Sequence, residues 1–367
     1  MQKKRILLIQ LFSNGDCLYA TAIARQIKKD FEGCHLTWAV SVSCKNIISN
    51  NPFVDDIIEV SSVAKNDERS FAKFVRSEKK SGRWDEVVVT HIMGKNQANY
   101  DGCIRSAIFR GYRYPLNVNI QPVLHLTDEE KEKARSFAET YCLSSYKNVI
   151  LFEFAPLSGQ SAITPQQSLN IAERLAGPEF AVILSSANRI THDEPSIIDG
   201  SILSIRETAA LTHYCTFLIG CSSGITWLTT SDGANQLPMV QLLNPHTNWI
   251  NPLSRDFERF DLDEKSLIEL FEFDTDKVVQ CVNKAVTGFS DARNKYHQQV
   301  PLHFTTTRNI VYNLLCHLHF SSILKHIRIN REMFGDRLSF YKEVAMGFLI
   351  FPFRLTANFF RKKVFRR

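Results

Sequence analysis

Apolar and polar residues follow one another along this chain in blocks that predict strands and helices. The first block is the apolar run 6–9, and the polar turn Ser13-Asn14-Gly15-Asp16 follows it. Apolar residues then recur at helical spacing, at Leu18, Ala22, Ile23 and Ile27. A strand, a tight loop and a helix in this order form the opening unit of a parallel α/β sheet.

The alternation continues along the chain and predicts two successive α/β domains, 1–146 and 147–300, followed by a tail, 301–367. Further strands are predicted near 36–40, 56–60, 86–90, 148–154, 181–185, 202–205, 217–219 and 238–243. Further helices are predicted near 44–49, 67–80, 126–142, 165–176, 207–214 and 226–231. A length of 367 residues is also more than one core usually supports.

Composition and cysteine spacing are those of an ordinary globular protein. Hydrophobic residues make up 44% of the chain. The nine cysteines are scattered without a CxxC pair or zinc-type spacing, which predicts reduced, mostly buried thiols in a cytosolic protein. The basic start and apolar run are not expected to be a signal peptide, because the run is short and Gln10 interrupts it.

The formal net charge of +6 is concentrated in the tail. From residue 300 onward, twelve Lys and Arg residues stand against three acidic ones, which leaves the body at −3. Basic residues alternate there with apolar and aromatic clusters, and the apolar run 344–353 is too short to span a bilayer. We expect the earlier part of the tail to pack on the first domain and its end, RKKVFRR, to lie on an anionic membrane surface. Because the body is acidic, nucleic acid is not an expected partner.

Asp16 follows the first predicted strand, at the sheet edge where parallel α/β domains bind their ligands. Its carboxylate has two interpretations. It either caps the following helix, accepting hydrogen bonds from the amides of residues 17–19, or points into a cleft. Spacing alone does not choose between them.

The loop 220–224, GCSSG, lies between a predicted strand and a short predicted helix. Small residues allow a bulky anion to approach the backbone, and the free amides of the next helix suit a diphosphate. The alternative is a tight turn whose residues only satisfy geometry and capping. The candidate phosphate ligands in this segment are Ser222, Ser223, Gly224 and Thr226.

Both segments carry a resemblance to a known family. Residues 5–27, RILLIQLFSNGDCLYATAIARQI, resemble the amino-terminal motif of the glycosyltransferases related to ADP-heptose:lipopolysaccharide heptosyltransferases, glycosyltransferase family 9. That motif is a strand, a small polar turn, Gly-Asp and an aliphatic helix. Residues 220–228, GCSSGITWL, are similar to the family's donor motif, and the resemblance covers roughly residues 1–285.

The resemblance implies an α/β fold of the GT-B type, with two Rossmann-like domains facing a cleft and the basic amphipathic tail as a helical addition. Residues 1–146 would bind the acceptor and residues 147–300 the nucleotide-diphosphate sugar. The implied function is an inverting transfer of heptose or another hexose-like sugar to a lipopolysaccharide core or lipid-linked glycan, at the cytoplasmic face of a bacterial membrane. Asp16 would be the general base that deprotonates the acceptor hydroxyl. Neither a cofactor nor a metal is expected, since the sequence has no DxD motif in a credible position.

The donor segment departs from the family pattern at two positions. Ser222 stands where the family has Asp, and Trp227 stands where it has His. In addition, no Lys or Arg occurs between Lys147 and Arg174, where relatives place a basic residue. The alternative function is therefore a non-catalytic GT-B-fold component of a glycan assembly system that binds nucleotide sugar or membrane. A Rossmann oxidoreductase is not favoured, because no GxGxxG follows the first strand.

Several other residues are candidate contacts, each with an ordinary structural role as its alternative. The loop after strand 148–154 offers hydroxyls and backbone amides to donor phosphates, at Ser158 and Gly159 in particular. Glu153 and Glu207 are candidates for ribose or sugar hydroxyls, and His91 is either an acceptor contact or part of a solvated loop. The remaining candidate donor or acceptor contacts are Asn14, Gly15, Lys95, Arg189 and Trp227.

Overall fold

The computed structural model describes residues 3–154, 158–247, 252–299 and 301–364, with side chains as far as residue 352. Its first sheet contains the strands β1 Arg5–Ile9, β2 His35–Ser41, β3 Asp56–Val60 and β4 Glu86–Val89. These are parallel and lie in the order β3-β2-β1-β4. The accompanying helices are α1 Asn14–Asp30, α2 Lys45–Ile48, α3 Glu68–Lys80 and α4 Ile104–Phe109, with α5 Asp128–Thr140 leading to the second domain.

The second sheet is also parallel. Its strands are β5 Asn148–Glu153, β6 Phe180–Ser185, β7 Ile197–Asp199, β8 Phe217–Gly220, β9 Met239–Leu242 and β10 Leu267–Leu270. They lie in the order β10-β9-β8-β5-β6-β7. The accompanying helices are α6 Pro165–Leu175, α7 Ile205–Leu211, α8 Gly224–Leu228, α9 Leu253–Arg259, α10 Thr275–Thr287 and α11 Phe289–Tyr296. Two separate parallel sheets with flanking helices confirm the expected fold class.

Local sequence signals explain where several helices begin. Thr127 and Glu130 form a capping box at the start of α5, as the sequence predicts. One predicted strand, 202–205, is wrong, and the third strand of this region is β7 instead. Ser204 and Glu207 form a capping box that starts α7 inside the predicted strand. The side chain of Glu207 also pairs with Lys133 at 3.1 Å, so Glu207 has the structural role given as its alternative.

The carboxyl-terminal part forms the helices α12 Thr305–Cys316, α13 Phe320–Phe334 and α14 Leu338–Val364. Ile310, Leu314 and Phe340 from these helices share an apolar cluster with Tyr100 and Ala107 of the first domain. The earlier part of the tail therefore packs on the first domain, as expected. The side chains of RKKVFRR lie outside the described residues. None of the described helices combines the length and the apolar character that crossing a bilayer requires.

Ion pairs of buried or largely buried side chains join the two domains. Arg206 of α7 donates to both carboxylate oxygens of Glu130 and to the His125 carbonyl oxygen. Arg105 of α4 pairs with Asp256 of α9 at 3.0 Å, and both side chains are almost completely buried. Since a buried charge that loses its partner is strongly destabilising, these pairs fix the two domains against each other. All nine cysteines are free and seven of them are buried, which confirms the prediction of mostly buried thiols.

Candidate active site

Each sheet has one point where the strand order reverses. In the first sheet it lies between β1 and β4, and in the second it lies between β5 and β8. Ligands of open parallel sheets bind in the crevice at the carboxyl ends of such strand pairs. The loop after β1 leads into α1, whose first turn carries Asp16, and the GCSSG loop follows β8. The two predicted motifs therefore occupy the two positions that favour ligand binding.

The Asp16 carboxylate is not a helix cap. Helix α1 begins at Asn14, Ser13 holds the capping position with a φ of 71°, and no side chain makes a capping hydrogen bond. Asp16 is half-buried in the first turn of the helix. Within the part of the chain that the structure describes, its carboxylate has no hydrogen-bond partner. The capping interpretation is therefore wrong, and Asp16 offers a free carboxylate.

Burial raises the pKa of Asp16 from 3.8 to about 7. The negative charge of Cys44 raises this pKa further, whereas the ammonium of Lys65 lowers it. A general base is most effective when its pKa lies near the working pH. The pKa of Asp16 meets this condition at neutral pH. No hydrogen bond within the described chain holds its carboxylate in one protonation state.

Two thiols border this carboxylate. The pKa of Cys44 is lowered to about 6, first by the neighbouring Cys17 thiol and then by the Ser41 and Ser43 hydroxyls, while burial opposes them. Burial raises the pKa of Cys17, which stays protonated and donates to the Gln10 carbonyl oxygen at 3.8 Å. A thiolate at Cys44 therefore lies close enough to Asp16 to affect its ionisation.

His91, two residues after β4, is buried rather than part of a solvated loop. Its ring lies between those of Phe12 and Phe71, with centroid distances of 5.8 and 5.2 Å. Gln10 accepts a hydrogen bond from Thr90 through Oε1, so its Nε2 donates to Nδ1 of His91 at 3.1 Å. This arrangement assigns the ring proton to Nε2. Burial lowers the pKa of His91 to about 4, so the ring is neutral at neutral pH.

The loop after β1 meets the GCSSG loop across the domain boundary. A Cβ atom added to Gly15 would lie 3.2 Å from Cδ1 of Trp227, and one added to Gly224 would lie 3.7 Å from Cβ of Asn14. Tyr19 packs edge-on against Trp227 with 5.0 Å between ring centroids. The carboxyl ends of the two sheets therefore face each other at Asp16. Trp227 is only 5% exposed, which makes it a packing residue between the domains rather than an open ligand contact.

Glu153, at the end of β5, fills the anion site that the sequence assigns to donor phosphates. Its Oε1 accepts hydrogen bonds from the Ser223 hydroxyl and, at 3.1 Å, from the Ile225 amide. Its Oε2 accepts hydrogen bonds from the Cys221 amide at 2.7 Å and the Thr226 hydroxyl at 2.9 Å. The carboxylate thus takes the place of an external anion at the start of α8.

This arrangement changes the expected role of several loop residues. Glu153 is 2% exposed, so it is not a contact for ribose or sugar hydroxyls. Ser222 is 2% exposed and Thr226 is fully buried, and the Ser222 amide donates to Gln241 at 2.9 Å. In this conformation both residues lie out of reach of a donor phosphate. Gly224, half-buried beside Asn14, remains a candidate phosphate contact.

Other predicted donor contacts lie in exposed loops at the same edge of the second sheet. Ser158 and Gly159 are exposed, and the amide of Asn244 donates to the Gln160 carbonyl oxygen at 2.7 Å, which joins the loops after β5 and β9. Arg189, after β6, is exposed and has no ion pair with any described acidic residue. An ordinary surface salt bridge is therefore not its role within the described chain, and its guanidinium is free to bind a phosphate.

The acceptor side carries two exposed lysines, Lys65 and the predicted contact Lys95. Among the described residues, no group of three or more His, Cys, Asp or Glu side chains is arranged to hold a metal ion. A cavity of about 680 Å³ also lies between the domains, lined by Arg25, Phe53 and Tyr214 among others. None of its lining residues belongs to the site around Asp16.

Comparison with known proteins identifies the fold. No protein-family model and no curated protein sequence matches the chain. A glycosyl transferase family 9 protein from Veillonella parvula DSM 2008 is similar with a TM-score of 0.55 and 15% identity, over 79% of this chain and 94% of that one. E. coli ADP-heptose LPS heptosyltransferase II is similar with a TM-score of 0.51 and 14% identity, over 77% and 98% of the two chains. The chain therefore has the fold of family 9 glycosyltransferases, as its two motifs indicate.

Proposed function

We propose that this protein is an inverting glycosyltransferase that moves a sugar from a nucleotide-diphosphate donor to a glycan acceptor, with Asp16 as its general base. One observation carries the proposal. Asp16 is a carboxylate without a hydrogen-bond partner in the described chain, has a pKa of about 7, and lies where the two sheets face each other. The glycosyltransferase fold of the chain supports the same function.

The reaction needs one proton acceptor and one site for negative charge. Asp16 takes the proton of an acceptor hydroxyl, and the resulting oxygen forms a bond to the anomeric carbon of the donor. The bond from that carbon to the diphosphate breaks on the opposite face, so the configuration inverts. The nucleoside diphosphate leaves with the bonding electrons, and Asp16 later returns its proton to water.

The leaving diphosphate needs cations and amide groups that are not already occupied. Arg189 supplies an unpaired guanidinium, and the backbone around Ser158 and Gly159 supplies exposed amides. Gly224 and Asn14 complete the donor side next to Asp16. Because Glu153 fills the GCSSG loop, the diphosphate would bind at the mouth of this loop rather than inside it. The proposed reaction uses no metal and no cofactor.

The substrates proposed are those of the similar proteins. One of them is named an ADP-heptose LPS heptosyltransferase, so we propose heptose or another hexose-like sugar as the transferred group. The acceptor would be a lipopolysaccharide core or another lipid-linked glycan. The protein would then work at the cytoplasmic face of a bacterial membrane, with its carboxyl-terminal tail on the anionic lipid surface.

A second candidate function is a non-catalytic protein of this fold that binds nucleotide sugar or membrane in glycan assembly. The occupation of the GCSSG loop by Glu153 favours it, because this is where an anion would otherwise bind. Thermal-shift measurements with ADP-, GDP-, UDP- and CMP-sugars identify the donor. Subsequent turnover of that donor supports the transferase, whereas binding with no turnover supports the second function.

A further inference from the structure

Three large apolar side chains project into solvent where α12 ends and α13 begins. The exposed fractions are 72% for Leu318, 57% for Phe320 and 69% for Leu324. We call these three residues the apolar corner. Neighbouring side chains of the same helices are buried in the cluster with the first domain, for example Leu314 and Ile323. The apolar corner therefore takes no part in this packing and stays exposed. Exposed apolar patches of this kind mark interaction sites.

The backbone conformation of Leu318 is a second indication that the apolar corner has a function. Leu318 has a φ of 57°, in the left-handed region that glycine and asparagine adopt more readily than leucine. The strain of keeping a leucine here is not offset by burial, because Leu318 is the most exposed residue of the three.

Four cations lie near the apolar corner, and two of them, Arg110 and Arg328, pair with Asp101 and Glu332. Lys325 follows Leu324 directly, and Arg328 lies one turn further along α13. Lys95 and Arg110 of the first domain lie close enough to Lys325 to lower its pKa further, after the larger effect of burial. Within the described chain neither Lys95 nor Lys325 has an acidic partner. Apolar side chains beside the two uncompensated lysines are complementary to an anionic lipid surface.

The position of the corner connects it to the candidate active site. Nε2 of His317, just before Leu318, lies 2.6 Å from Oε2 of Glu68 at the start of α3. Lys65, in the preceding loop, lies close enough to Asp16 to influence its ionisation. The corner is thus on the acceptor side of the cleft, where a lipid-linked acceptor would arrive if the proposed function is right.

We propose that Leu318, Phe320 and Leu324 insert into the interfacial layer of an anionic bilayer while Lys95 and Lys325 bind lipid phosphate groups. This proposal rests on the proposed function only for the identity of the acceptor. It differs from the sequence expectation, which places membrane contact at RKKVFRR. The corner lies in the well-packed helices, so it can orient the acceptor side of the cleft toward the membrane.

Vesicle flotation of the full chain tests the proposal. Vesicles of phosphatidylcholine with about 30 mol% phosphatidylglycerol provide the anionic surface, and pure phosphatidylcholine is the reference. We expect the protein to float with the anionic vesicles, and the double variant Phe320→Ser/Leu324→Ser to bind about tenfold less. The matched control is Ile202→Ser, which removes a 58% exposed side chain from the second domain and should bind normally.

A second variant tests the charge contribution. Lys325→Gln is expected to reduce binding to anionic vesicles about fivefold, and added salt should reduce binding of the unaltered chain. Unchanged melting temperatures verify that each variant folds. The flotation assay contains no nucleotide, so its result is independent of donor turnover. If the membrane proposal fails, the turnover assay still tests the proposed function, and if the proposed function fails, flotation still tests membrane binding.

Several outcomes overturn the proposal. One is the absence of binding by the unaltered chain, and another is equal binding by the Phe320→Ser/Leu324→Ser variant. A third is loss of binding only when the chain is truncated before residue 353, which would assign the contact to the terminal segment. A fourth is a dimer that the double variant abolishes without any vesicle binding, which would make the corner an interface between copies.

Discussion

Asp16→Asn is expected to stabilise the ligand-free protein in mildly alkaline solution. Burial raises the pKa of Asp16 from 3.8 to about 7, so the folded state holds this proton more tightly than the unfolded state. The stabilisation is complete below the unfolded pKa and is lost as the pH rises from about 4 through about 7. Asparagine has nearly the same shape and remains neutral throughout, so it avoids this loss.

The size of the effect follows from the same values. A pKa change from 3.8 to about 7 corresponds to roughly 4 kcal/mol at full strength. Because Asp16 is only half-buried, water screens the charge, and we expect about 1–2 kcal/mol at about pH 8. For a chain of 367 residues this corresponds to a rise in melting temperature of roughly 1–3 °C. At about pH 5 the carboxyl is protonated in the folded protein, so the variant and the original chain should differ little.

Calorimetry of both proteins across this pH range measures the difference. Asp67→Asn is the matched control, because Asp67 caps α3 by accepting hydrogen bonds from the amides of Arg69 and Ser70. Asparagine also caps helices, and no stabilisation is expected there. A lower melting temperature for Asp16→Asn at about pH 8 would refute the reasoning, since it would mean that the carboxylate is held by favourable interactions.

Three further predictions concern the surroundings of Asp16. Cys44→Ser removes a negative charge that raises the pKa of Asp16, so the rise of donor turnover with pH should move to lower pH. Glu153→Gln places an amide group where four hydrogen bonds require acceptors, and should lower the free energy of unfolding by about 1–3 kcal/mol in calorimetry, with little change in donor affinity. Arg189→Gln should weaken donor binding about tenfold in titration calorimetry without moving the pH profile; an unchanged affinity would remove Arg189 from the donor site.

Sequence patterns predict most of the fold because strands such as β1, β5 and β6 are buried on two faces and form continuous apolar runs. The runs 6–9, 56–60 and 181–185 each lie within an observed strand. Short elements with mixed patterns are missed, as at α4 and β10. The predicted strand 202–205 fails because its apolar residues straddle a helix start that the Ser204 and Glu207 capping box determines.

The sequence predicts which loops form the site, but it does not predict the contacts of several side chains in it. The Gly-Asp motif and the GCSSG loop lie opposite each other, because both follow the strands at which the sheet order reverses. No local pattern indicates that Glu153 bonds to the GCSSG loop, since the two are 68 or more residues apart in sequence. The effect of Cys44 on Asp16 is likewise a contact between separate β–α units.

The central claim is that Asp16 removes the acceptor proton and contributes little to donor binding. Turnover of the donor found by thermal shift, measured for the original chain and for Asp16→Asn at about pH 8, tests this claim. The account predicts a loss of about 100-fold or more in turnover, with the donor dissociation constant nearly unchanged. Undiminished turnover by the folded variant would contradict it.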